Sequence, residues 1–121
     1  DLGIPERADT AKAVAGLLDT PEPVERFLEG LGRTLEIPGP GVPWIAVPTT
    51  AGTGAEATRN AVLRLKDPGF KRSLRSPFLL AAAVIVDPAL TVDLPPGVTG
   101  IGGLDALTQL VEAHVARNAN P

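Results

Sequence analysis

The residue types best suited to chemistry are gathered in two places. The first is the run Pro48-Thr49-Thr50-Ala51-Gly52-Thr53-Gly54-Ala55-Glu56. Glycines at 52 and 54 let the backbone approach a ligand closely. The hydroxyls of Thr49, Thr50 and Thr53 can donate to phosphate or ribose oxygens, and consecutive N–H groups can form an anion nest. The run directly follows the apolar segment Trp44-Ile45-Ala46-Val47. Open α/β sheets bind ligands in that position, outside the carboxyl end of a strand. The competing reading is a tight polar turn between a strand and a helix. The run is neither a Walker loop nor a GxGxxG fingerprint.

The second place is the segment Gly102-Gly103-Leu104-Asp105-Ala106-Leu107-Thr108-Gln109. In a helix, Asp105 and Gln109 are one turn apart and project from one face. A carboxylate and an amide oxygen suit a hard divalent cation. The same pair also fits a solvated helix face. Two adjacent glycines weaken a helix by about 1 kcal/mol each, which points to a close approach of backbone at this spot. His114, the one histidine, lies nine positions after Asp105 and half a turn around, so it cannot share a ligand with it. It reads as a satisfied or exposed side chain, and no catalytic residue is assigned.

The elements that must position these residues follow from pattern. Residues 9–18 (DTAKAVAGLL) are good helix formers, with Asp9 or Thr10 available as N-cap. Pro21 and Pro23 precede a short second helix over residues 24–28, ending near Gly30 or Gly32. Residues 36–43 form a Pro/Gly linker. Residues 44–47 and 83–86 read as buried strands, the second closed by Asp87-Pro88. Residues 61–65 and 70–74 read as two strands joined at Asp67-Pro68-Gly69. The last element is a helix over about residues 98–116, with Ile101, Leu104, Leu107 or Thr108, Val111 and Val115 on one side. This order of helices and strands implies α/β architecture, and the last helix is expected to open a separate helical region.

Composition bounds the remaining possibilities. The chain has 121 residues, 44% apolar and 21% charged, which is ordinary globular usage and not that of a disordered chain. A net charge of −3 without a basic block gives no support to a nucleic-acid partner. The absence of cysteine excludes a disulfide framework, a thiolate metal site and a cysteine nucleophile. The longest apolar stretch, residues 78–86, is far short of the roughly 20 residues of a membrane helix. The opening residues show no signal-peptide series, so a cytoplasmic location is expected. Both ends read as interior to a longer chain: no strand precedes Asp1, and nothing follows to pack over the last helix.

Four segments, taken in order, resemble the iron-containing (group III) alcohol dehydrogenases. They are residues 9–18, residues 45–63 (IAVPTTAGTGAEATRNAVL), residues 71–94 (KRSLRSPFLLAAAVIVDPALTVDL) and residues 103–115 (GLDALTQLVEAHV). The resemblance implies part of a nucleotide-binding α/β domain over residues 1–95. Residues 96–121 would then begin an all-helical metal-binding domain. It implies NAD(P) contacts at Thr49, Thr50, Gly52 and Thr53, and a lysine near the nicotinamide ribose at Lys71. Asp105 matches the first ligand of Fe²⁺, or sometimes Zn²⁺, and Gln109 stands where the family usually has its second, a histidine. The metal would polarise the oxygen of a small-molecule alcohol or aldehyde while hydride passes between substrate and nicotinamide.

Gly3-Ile4-Pro5-Glu6-Arg7-Ala8 departs from the family's glycine-rich phosphate loop. The 121-residue chain alone is expected to be inactive and to hold iron weakly, and a homo-oligomer is the expected assembly. Two alternatives are a non-catalytic binding or assembly module built on the same fold, and a polyol dehydrogenase of the same superfamily.

Overall fold

A computed structural model of the chain describes residues 7–65 and 69–117. The altered phosphate loop at residues 3–6 and the turn residues Asp67 and Pro68 lie outside the described residues. The chain divides into two compact units, Asp1–Ala46 with Ala55–Ile85 and Val47–Gly54 with Val86–Pro121.

The first unit is built on helix α1 (Arg7–Leu17). The buried face of α1 is made of small residues and one charged pair, Asp9, Lys12, Ala13 and Gly16, at helical spacings of three and four. Small side chains let neighbours come close. A Cβ on Gly16 would stand 2.6 Å from Leu79 Cδ2, and one on Gly41 would run into the Ala15 carbonyl. The linker lies against α1 at this point, where the Val42 N–H donates to Ala15 O at 2.9 Å.

Asp9 is not the N-cap expected of it. Arg7 and Ala8 before it are already helical, and the carboxylate turns inward. Its Oδ1 meets Lys12 Nζ at 3.3 Å, and its Oδ2 accepts from the Val62 N–H at 3.0 Å. Lys12, fully buried, also donates to Thr58 Oγ1 and to the Asn60 carbonyl, each at 2.8 Å. An ammonium group removed from water needs such partners to be tolerated. Here they tie α1 to the first strand of a hairpin.

The expected short second helix is a single 3₁₀ turn (Val24–Phe27) that buries Phe27, with the adjoining Leu28 buried beside it. Gly30 and Gly32 follow, with φ of 80° and 89°. Strand β1 (Ile45–Ala46) comes next, then the hairpin of β2 (Asn60–Arg64) and β3 (Lys71–Arg75). The hairpin is antiparallel, with Asn60 opposite Arg75 and Arg64 opposite Lys71. Its inward residues Ala61 and Leu74 join Ala13, Phe27, Leu28, Ile37 and Leu79 in the core.

Strand β4 (Ala83–Val84) pairs in parallel with β1, Ile45 beside Ala83 and Ala46 beside Val84. Both were expected to be buried, and the structure corrects this. Ile45 is 61% exposed and Val84 43%, and only Ala46 is buried. A parallel strand is buried by neighbouring strands and by helices on both faces. Each of these has one partner strand and two residues of ladder among the described residues.

In the second unit, the Asp87 carboxylate accepts from the Ala89 N–H at 2.9 Å and caps a 3₁₀ turn (Pro88–Thr91). Helix α2 (Pro96–Val115) follows. It begins two residues before the expected start because proline suits the first helical position, where no N–H bond is lost and φ is already set. Its apolar row, Ile101, Leu104, Leu107, Val111 and Val115, is exposed. No described helix is long and apolar enough to cross a membrane.

Candidate functional site

The loop that leaves β1 belongs to the second unit and rests on α2. The contact is backbone against backbone. A Cβ on Gly52 would stand 2.6 Å from both Cα and the carbonyl oxygen of Gly102, and a Cβ on Gly102 would overlap the Ala51 carbonyl. Glycine at both positions is therefore what allows the loop to touch the helix. The close approach expected at Gly102 and Gly103 is found at Gly102, while a Cβ on Gly103 would meet nothing within 4 Å. Gly54 has φ of 61°, a left-handed conformation that lets the chain turn at no steric cost.

Thr49, Thr50 and Thr53 are exposed along this loop, and Gly52 is half-buried. Gln109, one turn after Asp105 on α2, donates from Nε2 to the Thr53 carbonyl at 3.3 Å. Four of the expected cofactor residues and both expected metal ligands are thus gathered in one unit. Lys71 lies in the other, exposed at the start of β3, where it lines a shallow open cavity with Glu29, Gly30, Val62, Arg72 and Ser73. His114 is exposed in the last turn of α2. Two features escaped the sequence reading. One is the Asp9–Lys12 pair, whose signal was two opposite charges on an otherwise small-residue helix face. The other is the bond from Gln109 to the loop, for which no local signal exists.

The donor chemistry treats the two implied groups differently. Three hydroxyls and two glycines in an uncharged loop fit the phosphate and ribose oxygens of a nucleotide. The metal is less well served. Asp105 and Gln109 offer oxygen donors from one helix face, but no group of three or more His, Cys, Asp and Glu able to hold a metal occurs among the described residues. Two oxygen donors fall short of a resident Fe²⁺ site, which favours imidazole. The ligands in this chain do not fit that ion by themselves.

A helix, a parallel strand pair and a glycine–threonine loop at the strand's carboxyl end place the chain in the α/β class. Residues 6–88 match the family model described as iron-containing alcohol dehydrogenase, and the chain belongs to that family. It is 46% identical over 114 residues to long-chain-alcohol dehydrogenase 1 of Geobacillus thermodenitrificans, covering 93% of this chain and 28% of the relative. It is 38% identical over 113 residues to sulfoacetaldehyde reductase of Bilophila wadsworthia, with the same coverages. The crystal structure of sulfoacetaldehyde reductase from Bifidobacterium kashiwanohense in complex with NAD⁺ superposes with a TM-score of 0.87 at 34% identity, over 94% of this chain and 30% of that one. The chain thus spans under a third of the length of these relatives.

Proposed function

We propose that this chain supplies the dinucleotide-contacting loop and the first metal-facing helix of an NAD(P)-dependent alcohol dehydrogenase. Hydride passes between a small-molecule alcohol or aldehyde and the nicotinamide ring, chemistry the nucleotide itself carries when bound. The observation that supports this most is the exposed Thr49-Thr50-Ala51-Gly52-Thr53-Gly54 loop, held on α2 by the Gly52–Gly102 contact. On this reading Thr49, Thr50 and Thr53 hold phosphate and ribose oxygens. Gly52 keeps the backbone close, and Lys71 meets the ribose of the nicotinamide half. Residues 1–95 belong to the nucleotide domain and residues 96–121 to the metal domain. Asp105 is the metal ligand this chain contributes, and the rest of the ligand set must come from outside it. Relatives named for long-chain alcohols, lactaldehyde and 4-hydroxybutyrate support an alcohol-or-aldehyde substrate.

Replacing Thr50 with Val keeps the shape and removes the hydroxyl. One hydrogen bond to a charged phosphate is worth about 1.5–3 kcal/mol, so NADH affinity should fall about tenfold or more. The helical circular dichroism should stay unchanged. An unaltered affinity would remove Thr50 from the nucleotide site. The chain alone should oxidise no short-chain alcohol with NAD⁺. Measured turnover would overturn the assignment of the remaining metal ligands to residues outside this chain.

A further inference from the structure

Gln109 reaches from α2 to the loop that precedes it in sequence. Its Nε2 donates to the Thr53 carbonyl at 3.3 Å, and its Oε1 stands 4.0 Å from the point where a Cβ on Gly54 would be. The carboxamide therefore lies along the Thr53–Gly54 backbone, at the residue whose positive φ turns the loop. The other anchor is the Gly52–Gly102 contact, seven residues and about two helical turns earlier on α2. Two anchors two turns apart hold the loop along the helix, where a single one would leave it free to swing.

We infer that Gln109 is a positioning residue that pins the loop Val47–Gly54 to α2, and that it does so in place of binding a metal ion. A metal ligand at this position would have to present Oε1 to the ion. The observed bond holds the carboxamide by Nε2 and leaves Oε1 beside Gly54, and no third His, Cys, Asp or Glu completes a site around it among the described residues. The effect on nucleotide affinity rests on the dehydrogenase reading, whereas the pin itself does not.

Glutamate at 109 separates the roles. It keeps the shape, is the better metal ligand, and when ionised has no proton to donate to Thr53. Nuclear magnetic resonance on the 121-residue chain, without nucleotide, reads the amide exchange of residues 52–54. Gln109→Glu and Gln109→Ala should both speed that exchange about two- to tenfold, the weight of one ordinary hydrogen bond. Below about pH 4 a carboxyl group regains its proton and can donate again. The Gln109→Glu loop should then slow toward the wild-type rate, while the Gln109→Ala loop stays fast. Asp105 and Glu112, the charged residues one turn either side on α2, are the same in both variants, and the loop itself carries no charge.

Adding Zn²⁺ to the wild-type chain should leave the Gln109 carboxamide resonances in place. Zn²⁺-dependent shifts of those resonances, or exchange unchanged in both variants, would overturn the inference. A loosened loop in a chain that binds no NADH would uphold the pin and defeat the reading of Val47–Gly54 as a nucleotide-binding loop.

Discussion

Replacing Lys12 with Met should cost the chain about 3 kcal/mol of stability, read as a lower denaturant midpoint at unchanged slope. Lys12 is fully buried, and its ammonium group holds the Asp9 carboxylate, the Thr58 hydroxyl and the Asn60 carbonyl together. Met has similar length and fills the same space, so the loss comes from the partners left behind and not from a cavity. Removing one member of a buried ion pair typically costs about 3–5 kcal/mol. The lower end applies because Asp9 retains the Val62 N–H as a donor and its side chain is 11% exposed. The double variant Lys12→Met with Asp9→Leu removes the orphaned carboxylate and should recover much of the loss. If the double variant is as unstable as the sum of the singles, the pair does not act as a unit.

The second large effect pits stability against binding. Ala at a mid-helix glycine stabilises a helix by about 1 kcal/mol; Gly103→Ala should show this gain, whereas the clash with the loop offsets it in Gly102→Ala. They should part company at the loop. The new methyl at 102 runs into the Ala51 carbonyl, and restoring an ordinary contact requires the loop to move by roughly 1 Å. That displacement carries Thr50 and Thr53 with it, and NADH affinity should drop at least about tenfold, equivalent to one lost phosphate hydrogen bond. The methyl at 103 meets nothing within 4 Å, so affinity should hold. Equal affinities for the two variants would mean that the loop's seat on α2 does not matter for the nucleotide.

Much of this architecture is legible in the sequence because it rests on local signals. The alanine-rich run gives α1, two short runs joined at a turn sequence give the β2–β3 hairpin, and the small-residue loop follows its strand as expected. What stayed hidden depends on partners far along the chain. Asp9 reads as a cap because its neighbours in sequence are all that can be seen, yet its second oxygen is held by Val62, 53 residues away. Gln109 reads as half of a ligand pair with Asp105, while its hydrogen bond goes to Thr53, 56 residues back. The two glycines at 102 and 103 are equivalent on paper, and only the three-dimensional path of residues 51–52 tells them apart. The apolar runs at residues 44–47 and 83–86 report how hydrophobic the strands are. Their burial depends on neighbouring layers that two-residue strands do not supply.

The claim at the centre is that Val47–Gly54 is a nucleotide-binding loop. A calorimetric titration of the purified 121-residue chain with NADH tests it most directly, run with and without added Zn²⁺. A nucleotide-binding loop predicts an affinity that falls about tenfold or more on replacing Thr50 with Val and is unaffected by Zn²⁺. The absence of NADH binding under either condition would contradict it.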